Sequence, residues 1–435
     1  MKKSLTFLLI AGLICSCANS KKAQNSDIHD VEVATSQALP IGMQLIWHDE
    51  FNDATLDTTK WWPYYFSSLD WFNKEAYQAF LNQNIPVADY EMTGHSILLK
   101  ATDKLYPGAK RQISSIQTYN WYTGEDKMND FVGGFIEARI RRSTGEKGDR
   151  VNLAFWFDSP GPDLKYYLEE GGEAFGTKGI RPRGQVFEFD MCEYITTEIV
   201  LHGDVDQDGE FQHNIGHHIH KGDFNNKWVQ HAILWSPAGL KFYIDGKLIR
   251  EWWDPKDIKS PNHAMNMFFG AYGIDGVSME VDYVRAYQWQ LEEGNFLPNS
   301  GFEYSDALFP WEGDGSINKE QARSGAQCLH LVPKAKVEQY IYLDYGHDYA
   351  FDVWAKGAGE LQVCIDALTP VSGELSELCT HRYKLAADYK QKKLRFATPA
   401  EKTTNKLTVK LSLENVGADA LLIDDLSIVS QRYSH

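Results

Sequence analysis

The length and charge of this chain narrow the classes of protein to which it can belong. Its 435 residues are enough for two or three domains. The 60 acidic against 43 basic residues give a formal net charge of −17 at pH 7, which argues against nucleic acid and anionic lipid surfaces as partners. The sequence has neither the G-x-G-x-x-G nor the Walker segment that cradles nucleotide phosphates, so we expect no nucleotide cofactor.

The first 17 residues have the pattern of a bacterial export signal. Two lysines stand near the start, and the apolar run from Leu5 to Leu13 is too short to span a bilayer. The segment that ends at Cys17 resembles a lipobox, which implies lipidation of that cysteine; an ordinary secretory signal is the alternative. Residues 18–43 are polar and typical of a flexible tether. We therefore expect a lipid-anchored protein of the bacterial cell envelope, facing the periplasm or exposed on the cell surface.

Beyond the tether, short apolar or alternating runs separated by Gly, Pro, Asn and Asp predict β-strands, and sustained helical periodicity is absent. The predicted strands cover residues 96–101, 134–141, 151–157, 186–194, 231–243 and 278–287. This pattern is typical of an all-β protein in which two antiparallel sheets form a sandwich.

Three carboxylates lie within the apolar segment from Val186 to Ile195. Because side chains alternate along a strand, Glu188 and Asp190 share one face and Glu193 should point to the other. One extra residue, bulged at either of the two positions before Glu193, would return it to the face of the other two acids. The two glutamate carboxyls could then close to the ~5–5.5 Å spacing of a retaining glycosidase. Three acids on one face repel one another and raise one another's pKa, a cost that structure alone rarely requires. We therefore favour a catalytic role over a strand edge that is acidic only for solubility.

The spacing E-x-D-x-x-E is the signature of the bulged branch of glycoside hydrolase family 16, and the flanking segments agree with it. They resemble the family's W-x-D-E-F opening, its Y-G-x-F-E-A-R-I strand, its A-F-W strand, and its closing hairpin and strand. In family order, they lie at residues 47–51, 133–140, 154–156, 228–246 and 279–285. The chain is similar to this family over residues 44–290, which implies a β-jelly-roll domain with a concave cleft.

The resemblance implies a retaining, endo-acting β-glycoside hydrolase that requires no cofactor. Glu188 would be the nucleophile that forms a glycosyl-enzyme, and Glu193 would protonate the leaving oxygen and then activate water as a base. Asp190, between them, would hydrogen-bond to Glu188 and hold the charges apart. The competing hypothesis is a non-catalytic surface lipoprotein that has kept the fold to bind glycans, although binding alone needs neither glutamate.

Residues around the acidic strand are candidates for sugar binding, because the C–H faces of sugars stack on aromatic rings. Trp156 matches the cleft tryptophan of the family, while Trp121 and Trp71 are loop candidates that could equally serve packing. His202 follows the acidic strand and could line the cleft or lie on a surface loop. Glu75 belongs to an Asn-Lys-Glu triplet that loosely resembles the substrate-facing N-N-E of laminarinases.

Two features separate this sequence from a compact glucanase: the residues around the Asn-Lys-Glu triplet are altered, and residues 158–183 form a long insert. We expect the substrate to be a β-linked polysaccharide or glycan. Galactan or mucin O-glycans with β-galactosides are slightly favoured over β-1,3(4)-glucan. Because family members often carry a structural calcium ion, the resemblance also suggests Glu50 and Asp282 as ligands, together with backbone carbonyls.

A second, smaller β-sandwich is predicted for residues 295–430. Its start, residues 295–303, resembles the L-x-N-x-G-F-E opening of family 4-like carbohydrate-binding modules, and alternating runs such as 407–413 predict half-buried strands. The resemblance implies a sugar-binding module; a sandwich that only spaces or stabilises the enzyme is the alternative. Cys364 and Cys379 end two segments joined by a turn, so an oxidising compartment would allow a hairpin disulfide between them.

Overall fold

A computed structural model describes most of the chain after the tether. The described residues are 38–67, 74–101, 112–144, 151–160, 169–174, 177–179, 185–205, 211–273, 276–305, 307–369, 373–401 and 405–431. Cys17, the predicted lipidation site, and Trp71, a predicted cleft residue, lie outside them. In the described ranges the chain is almost entirely β, as predicted. None of the helices in this part of the chain is long and apolar enough to cross a membrane.

The larger domain is a jelly-roll sandwich of two antiparallel sheets, here called the back sheet and the front sheet. The back sheet has eight strands, with β1 (Met43–Asp49) paired to β18 (Ser278–Trp289). The other strands lie side by side in the order β16 (Lys247–Trp252), β15 (Gly239–Ile244), β14 (Trp228–Ser236), β7 (Gly134–Ser143), β18 (Ser278–Trp289), β3 (Ile97–Lys100) and β2 (Tyr90–Met92).

The front sheet has six strands and contains the acidic segment near its middle. Their order is β13 (Phe211–Ile219), β12 (Glu198–Val205), β11 (Val186–Glu193), β8 (Leu153–Asp158), β17 (Asn266–Gly273) and β4 (Gln112–Gln117). The acidic strand β11 therefore has a neighbour on each side, and its backbone is fixed by two ladders of hydrogen bonds.

The core between the two sheets is built by every second residue of each strand. Phe155, Phe157 and Phe189 on the front sheet meet Ile136 and Ile233 on the back sheet, and all five side chains are fully buried. Each such side chain contributes roughly 1.5–3 kcal/mol relative to an exposed position. The opposite face of the front sheet is thereby left free to carry polar residues.

Three small elements belong to neither of the two sheets. They are the helix α1 (Lys74–Leu81), the hairpin of β5 (Tyr119–Asn120) and β6 (Glu125–Asp126), and the hairpin of β9 (Glu169–Ala174) and β10 (Thr177–Gly179). Ala76 and Phe80, one turn apart on α1, pack with Phe66 and Trp121 in a separate small apolar cluster.

The second domain is a smaller sandwich of two five-stranded sheets with its own core. One sheet has the order β19 (Glu312–Gly313), β22 (Lys336–Asp344), β27 (Lys406–Asn415), β24 (Glu360–Leu368) and β25 (Leu375–Lys384). The other has the order β20 (Ser316–Asn318), β21 (Cys328–Leu331), β28 (Leu421–Ser430), β23 (Asp348–Lys356) and β26 (Lys390–Ala397).

The hairpin disulfide suggested by the sequence is not formed. Cys364 lies opposite Thr380, and Cys379 lies opposite Ile365, in the β24–β25 ladder. Because facing residues share one face of a sheet and neighbours alternate, the two cysteine side chains point to opposite faces. Both thiols are free.

Candidate active site

A β-bulge in β11 brings the three carboxylates onto one face. Asp190 faces Trp156 of β8, and Cys192 faces the next residue of β8, Phe155, so Met191 has no counterpart. Met191 and Cys192 are both buried in the main core. The extra residue restores the alternation for Glu193, which returns to the face that carries Glu188 and Asp190. The bulge lies at one of the two positions that the sequence predicted.

The three acids differ in burial and in their neighbours. Asp190 is 3% exposed, whereas Glu188 and Glu193 are half-buried. The Oδ2 atom of Asp190 lies 3.2 Å from Nε2 of His202, and His202 faces Glu188 across the β11–β12 ladder. Burial and the negative charge of Glu193 raise the pKa of Asp190 well above its ordinary value. His202 therefore lies beside the acids, as one of the two sequence hypotheses expected.

Two polar residues near the acids were not identified from the sequence. Asn152 donates a hydrogen bond from Nδ2 to Oε1 of Glu193 at 2.6 Å. Asp158 faces Glu188 in the β8–β11 ladder and is 1% exposed. Asn152 lies within the predicted strand at residues 151–157 and Asp158 directly follows it, both at even spacing from Trp156, so the alternation of that strand would have placed them on the front face.

Trp156 lies on the floor of the front face, next to Asp190, but most of its ring is covered. It stacks on Phe268 with ring centroids 4.5 Å apart and an angle of 8° between the rings, and it is 4% exposed. The half-buried Tyr65 and Tyr272 cover it, with centroids 6.3 and 5.7 Å away. A Cβ atom at Gly270 would come within 3.1 Å of the indole, so glycine makes room for this ring. Tyr65 and Tyr272, and not Trp156, therefore present the exposed aromatic surface at this place.

Two other predicted cleft residues lie on α1 and in the small apolar cluster beside it. Trp121 is 8% exposed and packs edge-on against Phe66, with centroids 5.0 Å apart, in the small cluster beside α1. Its position agrees with the packing alternative and not with an open sugar platform. Glu75 lies in the first turn of α1 and is exposed.

The acids suggested as calcium ligands are paired with arginines. Arg285 donates to both carboxylate oxygens of Glu50, at 2.9 and 2.8 Å, and Asp282 lies 2.6 Å from Arg139. Although burial opposes it, hydrogen bonds from His48 and Arg285 lower the pKa of Glu50 to about 2. A guanidinium group already occupies the oxygens that a cation would need, so these residues do not fit a calcium ion.

Among the described residues, one group has donors close enough to share a cation. It consists of Glu188, Asp190 and His202, whose ligand atoms lie within 4.8 Å of one another. These are the same side chains that form the acidic face.

Comparison with known proteins shows that a segment containing part of the front face is similar to a known family. Residues 188–294 match the model of a family described as glycosyl hydrolases family 16. The chain is 25% identical over 310 residues to glucan endo-1,3-beta-glucosidase A1 of Niallia circulans, which covers 62% of this chain and 42% of the relative. It is 23% identical over 172 residues to the endo-1,3-1,4-beta-glycanase ExoK of Rhizobium meliloti (strain 1021), which covers 38% of this chain and 58% of that relative. The chain thus spans less than two thirds of the length of either relative.

Among solved structures, the fold is similar to a GlcNAcα1-4Gal-releasing endo-β-galactosidase from Clostridium perfringens. The two are 19% identical, with a TM-score of 0.41, over 68% of this chain and 71% of the other. The segment that matches the family model begins at Glu188 and also contains Asp190 and Glu193. The similarity of this chain to the family 16 glycosyl hydrolases therefore includes all three acids of the front face.

Proposed function

We propose that this protein is a retaining, endo-acting β-glycoside hydrolase. One observation carries the proposal: the bulge at Met191 gathers Glu188, Asp190 and Glu193 on the same face of one strand. Two carboxyl groups on one strand can flank a glycosidic bond, and the family match over residues 188–294 supports this use.

In the proposed mechanism, Glu188 attacks the anomeric carbon while Glu193 protonates the oxygen of the leaving sugar. The glycosyl–Glu188 ester is then hydrolysed by a water molecule from which Glu193 removes a proton. The hydrogen bond from Asn152 holds one oxygen of Glu193 in place. The raised pKa of Asp190 favours a protonated carboxyl group, which can donate a hydrogen bond to the Glu188 carboxylate.

Two substrate classes have separate support. The two curated relatives are named as enzymes that act on β-1,3- and β-1,3-1,4-linked glycans, which favours a β-glucan. The altered Asn-Lys-Glu triplet and the insert at residues 158–183 favour a β-galactoside of galactan or mucin O-glycan type. Both proposals use the same acids and differ only in the sugar that the cleft accepts.

The test is a product profile of the full chain on laminarin, lichenan, agarose, carrageenan, porphyran, keratan sulfate and mucin O-glycans. We expect oligosaccharides of several lengths from at least one glycan, because an endo-acting enzyme cuts internal bonds. Glu188→Ala should abolish every such product. If the wild type binds a glycan but cuts none, the protein is a glycan-binding protein and the proposed activity is wrong.

We also propose that Cys17 anchors the protein to a membrane through lipidation. Several acyl chains would bind strongly, since each buried methylene contributes ~0.8 kcal/mol. Wild-type protein expressed in a Gram-negative host should sediment with membranes, and Cys17→Ala should be soluble. Equal partitioning of the two forms would contradict the anchor.

A further inference from the structure

A buried arginine lies behind the acidic strand, on the other side of the core. Arg142 belongs to β7 of the back sheet and continues the inward-facing series of Ile136, Ala138 and Ile140. It is only 2% exposed, at a position where the alternation calls for an apolar residue. A buried charge needs compensating contacts, so the partners of this guanidinium indicate its role.

Those partners all belong to the end of the acidic strand and the turn that follows it. Arg142 donates from Nη2 to Oγ1 of Thr197 at 2.6 Å, from Nη1 to the backbone oxygen of Tyr194, and more weakly to that of Glu193 at 3.5 Å. No carboxylate of the described residues lies within ion-pair distance of Arg142. Its charge is instead distributed over the oxygens of one turn.

The turn itself requires such support. Tyr194 and Thr197 have φ angles of 52° and 58°, in the left-handed region that non-glycine residues rarely adopt. Conformations of this kind persist only where the surroundings hold them. The two donors of Arg142 bridge these two residues, and the backbone N–H of His220 donates to the oxygen of Thr197 at 3.0 Å.

Glu188 and Glu193 therefore depend on different contacts. Glu188 lies before the bulge, where β11 pairs with Asp158 on one side and His202 on the other. Glu193 lies after the bulge, at the last residue of the strand, and its backbone is continuous with the turn that Arg142 holds. A shift of this turn would move the Glu193 carboxyl group while leaving Glu188 in place.

We propose that Arg142 is a positioning residue for acid–base catalysis, which reaches through the core to fix the turn after Glu193. The inference rests on the proposed glycosidase function. It predicts a selective defect: steps that need proton transfer by Glu193 should fail, and steps that need only Glu188 should not.

The test compares two leaving groups in Arg142→Met, whose side chain has a similar length but no donors. One probe is the glycan that the wild type cuts. The other is the 2,4-dinitrophenyl β-glycoside of the sugar that the wild type releases, and its dinitrophenol leaving group needs no proton. For the glycan, kcat should fall by about 10²-fold, since general acid catalysis contributes 10²–10⁴-fold. The first-turnover release of dinitrophenol should stay within about threefold of wild type, since it needs only the nucleophile. Arg142→Lys, which keeps the charge and a donor, should recover part of the loss.

Arg141→Met is the matched control. Arg141 is the residue before Arg142 on β7, is partly exposed, and pairs with Glu280 on the outer face without contacting the turn. The ratio of the two rates should be unchanged in this variant. Where Arg142→Met does not fold, Thr197→Val removes the hydroxyl acceptor of the same contact and should change the ratio in the same direction.

Rates are normalised to the fraction of molecules that a fluoroglycoside can trap on Glu188. An equal loss on both probes, or an unchanged ratio in both Arg142→Met and Thr197→Val, would overturn the positioning role. A wild type that is inactive on both probes would instead contradict the proposed function, so the two failures are distinguishable.

Discussion

At the scale of single residues, the three acids of β11 are distinguished by their surroundings and not by their chemistry. Asp190 is the most buried and lies beside His202, while Glu193 accepts a hydrogen bond from Asn152. Burying an ionised carboxylate next to another one costs free energy, which appears as the raised pKa of Asp190. The protein keeps this costly group at the centre of its acidic face, as is common for functional sites.

Asp190→Asn should therefore stabilise the protein and slow it at the same time. A carboxyl whose folded pKa is raised favours unfolding once the pH exceeds the ordinary value of 3.8, because only the unfolded state then ionises freely. We expect Asp190→Asn to have a higher Tm than wild type at pH 7, with the difference shrinking as the pH falls toward 3.8. Turnover should fall, since the amide cannot exchange a proton with its neighbours.

Thermal unfolding between pH 4 and 8 and kcat on the same glycan check this expectation together. A Tm for Asp190→Asn that is lower than wild type at neutral pH would show that the contact with His202 outweighs the burial of the charge. Unchanged turnover would show that Asp190 has no part in the chemistry.

Residue types and spacing predicted the acids but not all of the cleft. Glu188, Asp190 and Glu193 could be read from one strand, because alternation and a bulge are local properties of the chain. The role of Trp121 could not be predicted, because its neighbours Phe66 and Phe80 are distant in sequence. Together the three side chains form part of a small apolar core, although Trp121 looks like a loop residue in the sequence. The ion pair of Glu50 could not be predicted for the same reason, since its partner Arg285 lies on another strand.

At the scale of elements, β11 depends on one unpaired residue. Met191 has no partner on β8, and on the other side two residues of β11 oppose one of β12 between the pairs Asp190–Val200 and Glu193–Glu198. The bulge decides which face Glu193 occupies, because each added residue reverses the alternation.

Inserting one alanine between Cys192 and Glu193 should abolish activity on the natural glycan. The insertion sends the Glu193 carboxyl toward the core, so hydrolysis should fall to the level of Glu193→Ala. Deleting Met191 is the matched change: it removes the bulge but leaves Glu193 on the front face, and part of the activity should remain. Both variants are compared with wild type by their initial rates and by circular dichroism. Full activity in the insertion variant would contradict the assigned role of the bulge.

The local pattern of apolar and polar residues predicted where the strands lie in the sequence, but it did not predict their order in the sheets. The run that alternation predicted at residues 231–243 is two strands, β14 and β15, joined by a turn, as the resemblance to the family's hairpin at residues 228–246 implied. The order of strands in each sheet joins segments far apart in the chain, such as β8 and β17, so alternation within one segment could not reveal it. The family resemblance supplied the jelly roll that the strand pattern alone left open.

At the scale of the whole molecule, the second sandwich packs directly against the first. Lys406 and Asn262 exchange two hydrogen bonds, and Tyr342 donates to the backbone oxygen of Pro261 at 2.9 Å. Tyr304 stacks on Trp289 at the end of β18, with ring centroids 5.7 Å apart. The second domain thus covers part of the surface of the first domain.

Removing residues 295–435 should lower the Tm of the first domain, because Trp289 loses its cover and Pro261 loses a donor. Folded molecules should still turn over short soluble oligosaccharides at the wild-type rate, since no residue of the acidic face is removed. Action on long or insoluble glycan should weaken if the second domain binds sugar and raises the local concentration. Calorimetry and rates on both substrate lengths test the two parts. An unchanged Tm would contradict the packing argument, and unchanged turnover on polymer would favour a purely structural domain.

The central claim is that Glu188 and Glu193 have different roles, and the stereochemistry of azide rescue tests it most directly. Glu193→Ala should still glycosylate Glu188 when the substrate is an activated aryl glycoside, and should then stall for lack of a base. Azide needs no base and should restore turnover, giving a glycosyl azide that nuclear magnetic resonance identifies as the β anomer. Glu188→Ala should form no glycosyl-enzyme. An α-configured azide from Glu193→Ala, or rescue of Glu188→Ala with retained configuration, would contradict the account.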